Sequence, residues 1–212
     1  MKKLFIYFAF FCFNILFIKA QEFSGSINFK YTTKYDTTLN IYYVKNQIVR
    51  LDQFTKKKNV VEGSFIFNLK DKEIKCLNLK RKLWASQNNA SPQIIKGECV
   101  VTKGDKTKII ADLKCTEYTV KNTVEDLIIS YWIANTNFNF FSLLVNLWNR
   151  KDNQSLYYRQ IKGLETGCMP MLSEEKQISS GKSISKLEVT KISLTIPKEV
   201  SFKIPTDFTK FE

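Results

Sequence analysis

Residues 23–51 read FSGSINFKYTTKYDTTLNIYYVKNQIVRL, and the alternation in this stretch decides the fold class. Phe23, Gly25, Ile27, Phe29 and Tyr31 fall on one side of an extended chain and Ser24, Ser26, Asn28 and Lys30 on the other. That period of two marks a strand with one wetted face. Leu39, Ile41 and Tyr43 repeat the pattern. Lys45-Asn46 then turns the chain into a strand over 48–51, because Asn tolerates the positive φ of a tight hairpin turn.

The same reading predicts further strands over 60–69, 73–79, 82–86, 94–103, 106–110, 114–121 and 127–134. Lys103-Gly104-Asp105 reads as the clearest turn between them. Short strands in succession with brief polar turns imply a mainly β (α+β) fold, a curled antiparallel sheet closing into an incomplete barrel. The exception is 136–149, TNFNFFSLLVNLWN, where Phe138, Phe141, Leu144, Val145 and Trp148 recur at helical spacing. This predicts one main amphipathic helix covering the sheet, with Thr136 or Asn137 capping its start. Residues 163–170 read as a loop, and 183–196, with neither face apolar, as an edge or covering strand. Residues 202–211 read as a terminal segment tucked against the barrel.

At 212 residues the chain suits a single domain with a sizeable core, and only seven Gly and four Pro exclude a low-complexity class. Residues 1–20, MKKLFIYFAFFCFNILFIKA, carry two lysines, an apolar run from Leu4 to Ile18 broken by Asn14, and Ala20 before Gln21. This is the order of a secretory signal peptide, expected to be cleaved after Ala20 and to leave a β-rich domain over 21–212. Retention of the run as an anchor is the alternative. Cys12 follows bulky Phe11, which argues against a lipid-accepting cysteine. The expected location is therefore the periplasm, peripherally outer-membrane-associated, or outside the cell. The net charge is +13, or +10 without Lys2, Lys3 and Lys19 of the leader, and suits approach to an anionic membrane surface. Nucleic acid is not expected in that compartment.

The chain has no histidine, which removes the commonest general base and zinc ligand and every Ser-His or Cys-His scheme. No phosphate loop or metal-binding spacing occurs, so neither an enzyme, a metal nor a cofactor is expected. Adjacent Glu174 and Glu175 point to opposite faces of an extended chain and read as surface residues. Cys76, Cys99, Cys115 and Cys168 remain after processing and are disulfide candidates. A hairpin turning near Asn88 would set Cys76 against Cys99, leaving Cys115 for Cys168; buried free thiols are the other reading. The clusters Lys56-Lys57-Lys58 and Lys80-Arg81-Lys82 read as solvated turns, or as docking points for acidic partners or phospholipid head groups.

The phrases FSGSINFKY (23–31), YYVKNQIVRLD (42–52), FIFNLKDKEIKCLNLKRKLW (65–84), KTKIIADLKCTEYTVKN (106–122), ISYWIA (129–134), LEVTKI (187–192) and FKIPTDFTKF (202–211) resemble, in order and strand pattern, a family of exported envelope proteins of unknown function from Bacteroidota. The fold of that family resembles the LolA/LolB lipoprotein carriers. Residues 110–115, IADLKC, depart from the family's usual I-x-G-Y-K-C. The resemblance implies an incomplete barrel around helical cover, with an apolar hollow that in the carriers takes acyl chains. The functional expectation is a non-catalytic binding protein for a lipid, a lipoprotein acyl chain or another apolar ligand. Phe138, Phe141, Leu144, Val145 and Trp148, with Trp132 and Trp84, are its candidate ligand contacts. The alternative is a structural or protein-interaction module of the envelope with no ligand.

Overall fold

The alternation at the head of the domain becomes strand β1, Gly25–Thr33, in a computed structural model that describes residues 22–54, 60–88, 94–150 and 152–211. The leader, its cleavage point, Cys12 and the cluster at 56–58 lie outside the described residues. β2 (Thr37–Lys45) and β3 (Ile48–Phe54) follow through a turn in which Asn46 and Gln47 both hold positive φ, as the Lys45-Asn46 signal implies. β4 (Val61–Asn68), β5 (Glu73–Asn78) and β6 (Leu83–Ser86) continue the meander. On the far side, β7 (Val100–Ile110), β8 (Leu113–Asn122) and β9 (Leu127–Asn135) make a second meander, followed by helices α1 (Asn139–Trp148) and α2 (Asn153–Tyr158). β10 (Cys168–Gln177), β11 (Ser183–Ser193) and the short β12 (Thr209–Lys210) complete the described elements.

All these strands join one open sheet in the order β12-β6-β5-β4-β3-β2-β1-β11-β10-β9-β8-β7. Every pairing is antiparallel except β12 on β6. The mainly β, incomplete-barrel architecture is therefore present. Its curl follows from one contact: α1 packs on both β5 and β10, which lie six places apart in the strand order. On a flat sheet six strand spacings cover roughly 29 Å, about twice the ~15 Å length of a ten-residue helix. The sheet must wrap around the helix to meet it twice.

Three expectations about these segments change. Lys103-Gly104-Asp105 is no turn; it lies inside β7, where the register with β8 shifts between Lys103 and Thr107. The true reversal is Ala111-Asp112, both at positive φ, a two-residue hairpin formed without glycine. β10, which includes 168–170 of the expected loop, is a central strand; Pro170 sits where the register with β9 shifts, a position that tolerates the missing N–H. β11 is central too, paired to β1 and β10. Its mixed face reflects an outward Lys186–Glu188 ion pair at 2.9 Å rather than an edge.

In β2 the inward residues are Asn40, Tyr42 and Val44 rather than Leu39, Ile41 and Tyr43. The register sets Tyr42 opposite Ile27, and the Tyr42 ring stacks on Phe29 at 4.7 Å. Tyr43 is nevertheless buried on the other face, with Arg50, Asp52 and Glu199 near it. There the C-terminal segment crosses: Ser201 accepts a 2.8 Å hydrogen bond from Arg50, whose Nε lies 2.8 Å from buried Asp52. The segment ends on β6, as a tucked terminal piece should, with Phe211 N–H donating to the Trp84 carbonyl at 2.7 Å.

Candidate functional site

The helix α1 forms because its apolar positions recur at three- and four-residue spacing, and it buries Phe140, Phe141, Leu144, Val145 and Leu147. Phe140 and Leu147 lie outside the expected stripe because the sheet curls round both flanks of the helix. No side chain caps its start; Phe138 occupies the cap position, and neither Thr136 nor Asn137 supplies the expected cap. Instead the entry is tied by backbone: the N–H groups of Thr136 and Phe138 donate to the Gly167 carbonyl at 3.2 and 3.3 Å. Gly167 has φ +96°, and a Cβ there would overlap the Thr136 carbonyl, so this contact needs glycine. At the other end Asn149 closes the helix in the left-handed conformation, its N–H bonded to Val145 at 3.2 Å.

Aromatic rings carry the helix on the sheet. Trp148 meets Phe65 and Phe67 of β4 at 5.4 and 4.8 Å between centroids, Phe140 meets Tyr42 at 6.4 Å, and Phe141 meets Tyr158 at 5.3 Å. Such pairs each add about 0.5–1.5 kcal/mol beyond simple burial.

Between α1, α2 and the concave face lies a cleft of about 80 Å³. Phe141, Leu144, Val145 and Trp148 form its helical wall; Phe29, Tyr42, Tyr131 and Met169 stand on the sheet side. Four of the seven expected ligand contacts thus converge there. Phe138 is buried instead against Phe23, at 5.1 Å. Trp132 alternates with Tyr131 and so faces the opposite side of the sheet, near Lys108. Trp84 pairs with Leu77, out of phase with Phe65 and Phe67, and meets Lys210. A wider, open groove of about 910 Å³ runs between the start of β7 and the 159–163 segment, lined by Lys103, Tyr118, Arg159, Ile161 and Lys162 among others.

The cleft is backed by a polar network that the sequence did not announce. Tyr131 donates to the Gln154 carbonyl at 2.7 Å, Ser173 donates to the Gln154 side-chain oxygen, and Gln154 Nε2 donates to Ser185 at 2.7 Å. Ser185 in turn donates to Glu175 at 2.6 Å, and Asn153 Nδ2 donates to its other oxygen at 2.7 Å. Glu175 is only 4% exposed, against the surface role expected of the acidic pair. Glu174 alone keeps that role, 2.9 Å from Lys176. The opposite-face rule holds, but one of the two faces is interior.

Helix α2, absent from the sequence reading, presents Gln154. The Asp152 carboxylate caps it by accepting from the Ser155 N–H at 2.9 Å, a signal legible in D-x-x-S. Asp152 also meets Arg150 Nε at 2.7 Å, and the Arg150 guanidinium lies 4.5 Å from the Trp148 ring centroid. Burial pushes the Tyr42 hydroxyl up to about 12 and holds those of Tyr131 and Tyr158 well above their ordinary value. These rings stay neutral across all ordinary pH.

The four described cysteines are free thiols. Cys76 does not face Cys99: the β5–β6 hairpin pairs it with Ala85, and its thiol contacts Gln87 at 3.3 Å. Cys99 lies at the other end of the sheet, beside Asn122. Cys115 and Cys168 are buried, and desolvation raises the Cys115 thiol to about 11. In Lys80-Arg81-Lys82, Lys82 contacts Asp207 of the C-terminal segment at 2.8 Å. Among the described residues no helix is long and apolar enough to cross a membrane, and no cluster of acidic, histidine or cysteine side chains is placed to hold a metal.

No protein-family model matches the chain, and no curated protein matches it. Among solved structures it is similar to an uncharacterized conserved protein from Thermus thermophilus, at 10% identity and TM-score 0.49, over 89% of this chain and 90% of that one. It is also similar to PNGF-II in its C2 crystal form, at 12% identity and TM-score 0.46 over 88% of this chain. The P21 form gives 13% identity and 0.44 over 88% of this chain. The chain spans 30% of the PNGF-II chain in the C2 form. Nothing about function passes from these likenesses to this chain.

Proposed function

We propose that the protein is an exported, non-catalytic binding protein of the cell envelope, LolA-like in plan, that holds the apolar end of a lipid or similar ligand beneath α1. The observation that carries this reading is the convergence of Phe141, Leu144, Val145 and Trp148 on one aromatic cleft with a polar end. Mostly apolar walls with a few placed polar groups are the usual make-up of a small-ligand site. Each methylene buried there contributes about 0.8 kcal/mol. The excess of lysine and arginine favours peripheral contact with an anionic membrane surface, where such a ligand is met.

With α1 in place, about 80 Å³ admits a chain tip or a ring-sized group. A whole acyl chain requires the helix to lift. The narrowness also favours a second reading, an envelope scaffold or interaction module whose aromatics simply fill its core, since ligand pockets typically run to about 300 Å³ or more. Organic extraction of protein purified from the envelope, combined with thermal melts in fatty acids, separates the two. A co-purified lipid, or a melting temperature raised by several degrees, supports carriage. The absence of both effects supports the scaffold.

A further inference from the structure

Four of the cleft's hydroxyls share one polarity. The Tyr131 hydroxyl gives its proton to the Gln154 carbonyl at 2.7 Å, Tyr158 to the Cys168 carbonyl at 3.2 Å, Ser155 to Asp152 at 3.1 Å, and Ser173 to the Gln154 side chain. These four hydroxyl protons are committed to the protein, so what the four groups offer an occupant is lone pairs. An occupant that accepts hydrogen bonds finds one charged donor, Arg150, whose Nε already meets Asp152, beside the neutral Thr38, Tyr42 and Gln53 side chains. Among the described residues, the charged side chains on the lining are these two, and they offset each other. Behind the floor, on the Tyr131 side, stands buried Glu175, a carboxyl held by two neutral donors in a chain that as a whole is strongly basic. Seven aromatic side chains line the same space, and their faces attract cations. One cation, Arg150, already sits against Trp148.

Taking the cleft as a ligand site, as proposed above, we infer that it prefers ligands whose inserted end carries an ammonium group, set among aromatic faces and hydroxyl lone pairs. The raised pKa of Tyr131, which follows first from burial and then from the nearby charges of Asp152 and Glu175, agrees with a negative floor. A head of this kind with its first methylenes matches a space of about 80 Å³.

Calorimetric titration of the leaderless chain with decyltrimethylammonium, decanol and decyl sulfate, each below its micelle concentration in ~150 mM salt to screen the global charge, tests this. The expected result is that the ammonium binds at least tenfold tighter than the sulfate, and that Glu175→Gln narrows the ratio at least threefold. Tyr131→Phe, which removes a lone-pair donor and keeps the ring, narrows it as well if Glu175→Gln fails to fold. Equal binding, or a preference for the sulfate, overturns the inference and leaves the apolar-ligand reading standing. No binding of any of the three overturns both.

Discussion

Trp148, the last residue of α1, lies over Phe67 of β4 with ring centroids 4.8 Å apart, and so closes the cleft with the same side chain that clamps the helix to the sheet. Stability and the closure of the cleft are therefore coupled at this position. Trp148→Ala is expected to cost roughly 3 kcal/mol, a fall in melting temperature of about 6–12 °C for a domain of this size. Trp84→Phe and Trp132→Phe, on the opposite face, should leave ligand affinity unchanged. Thermal melts and titrations of the three variants check this, and a ligand effect from Trp132→Phe would displace the site from beneath α1.

Gly167 fixes the entry of α1. Gly167→Ala forces a Cβ into the Thr136 carbonyl at a positive φ, so it should destabilise the protein by roughly 2–3 kcal/mol. Gly163→Ala, also at positive φ but with open space around it, should cost about 1 kcal/mol. Chemical denaturation of the pair measures the difference, which isolates the steric overlap from the backbone strain they share.

Buried tyrosines set an alkaline limit. Folding raises the pKa of Tyr42 to about 12 and raises those of Tyr131 and Tyr158, while the unfolded chain titrates near 10. The unfolded state then loses protons first. This contribution to stability is complete below pH 10 and is lost as the pH rises from about 10 toward 12. Tyrosinate absorbance should appear with the loss of folded ellipticity rather than before it, and Tyr42→Phe should move the transition to higher pH.

With Cys76, Cys99, Cys115 and Cys168 all reduced, the melting temperature should not change with dithiothreitol. The intact mass of a variant without residues 1–20 should lack the two-hydrogen deficit of a disulfide. A thiol reagent should label Cys76 and Cys99 before buried Cys115 and Cys168. A reductant-sensitive melt would contradict the free-thiol arrangement.

Alternation was a good guide where one face is wet and the other dry. β1, the hairpin at Asn46 and the apolar positions of α1 were legible from residues 23–51 and 136–149 for that reason. It misled in β2, where the C-terminal segment buries part of the second face, and at the start of β10, where Gly163 to Pro170 reads locally as a loop although both neighbours in the sheet supply pairing. Half the cleft was hidden for a related cause. Phe29, Tyr131 and Gln154 come from three distant segments, and the β1–β11 pairing that joins the chain's two ends is a tertiary choice no local pattern encodes. Glu175 looked like surface because its partners Ser185 and Asn153 lie on other elements.

Carriage beneath α1 is tested most sharply by native mass spectrometry of the protein purified from its own source, comparing wild type with Val145→Trp, which fills the cleft, and Leu143→Trp, which adds the same ring on the outer side of α1 where Leu143 is 47% exposed. A bound mass is expected in the wild type, persisting in Leu143→Trp and lost in folded Val145→Trp. A bound mass that survives Val145→Trp, or a wild-type protein that carries nothing and takes up no added lipid, would contradict a ligand site in this cleft.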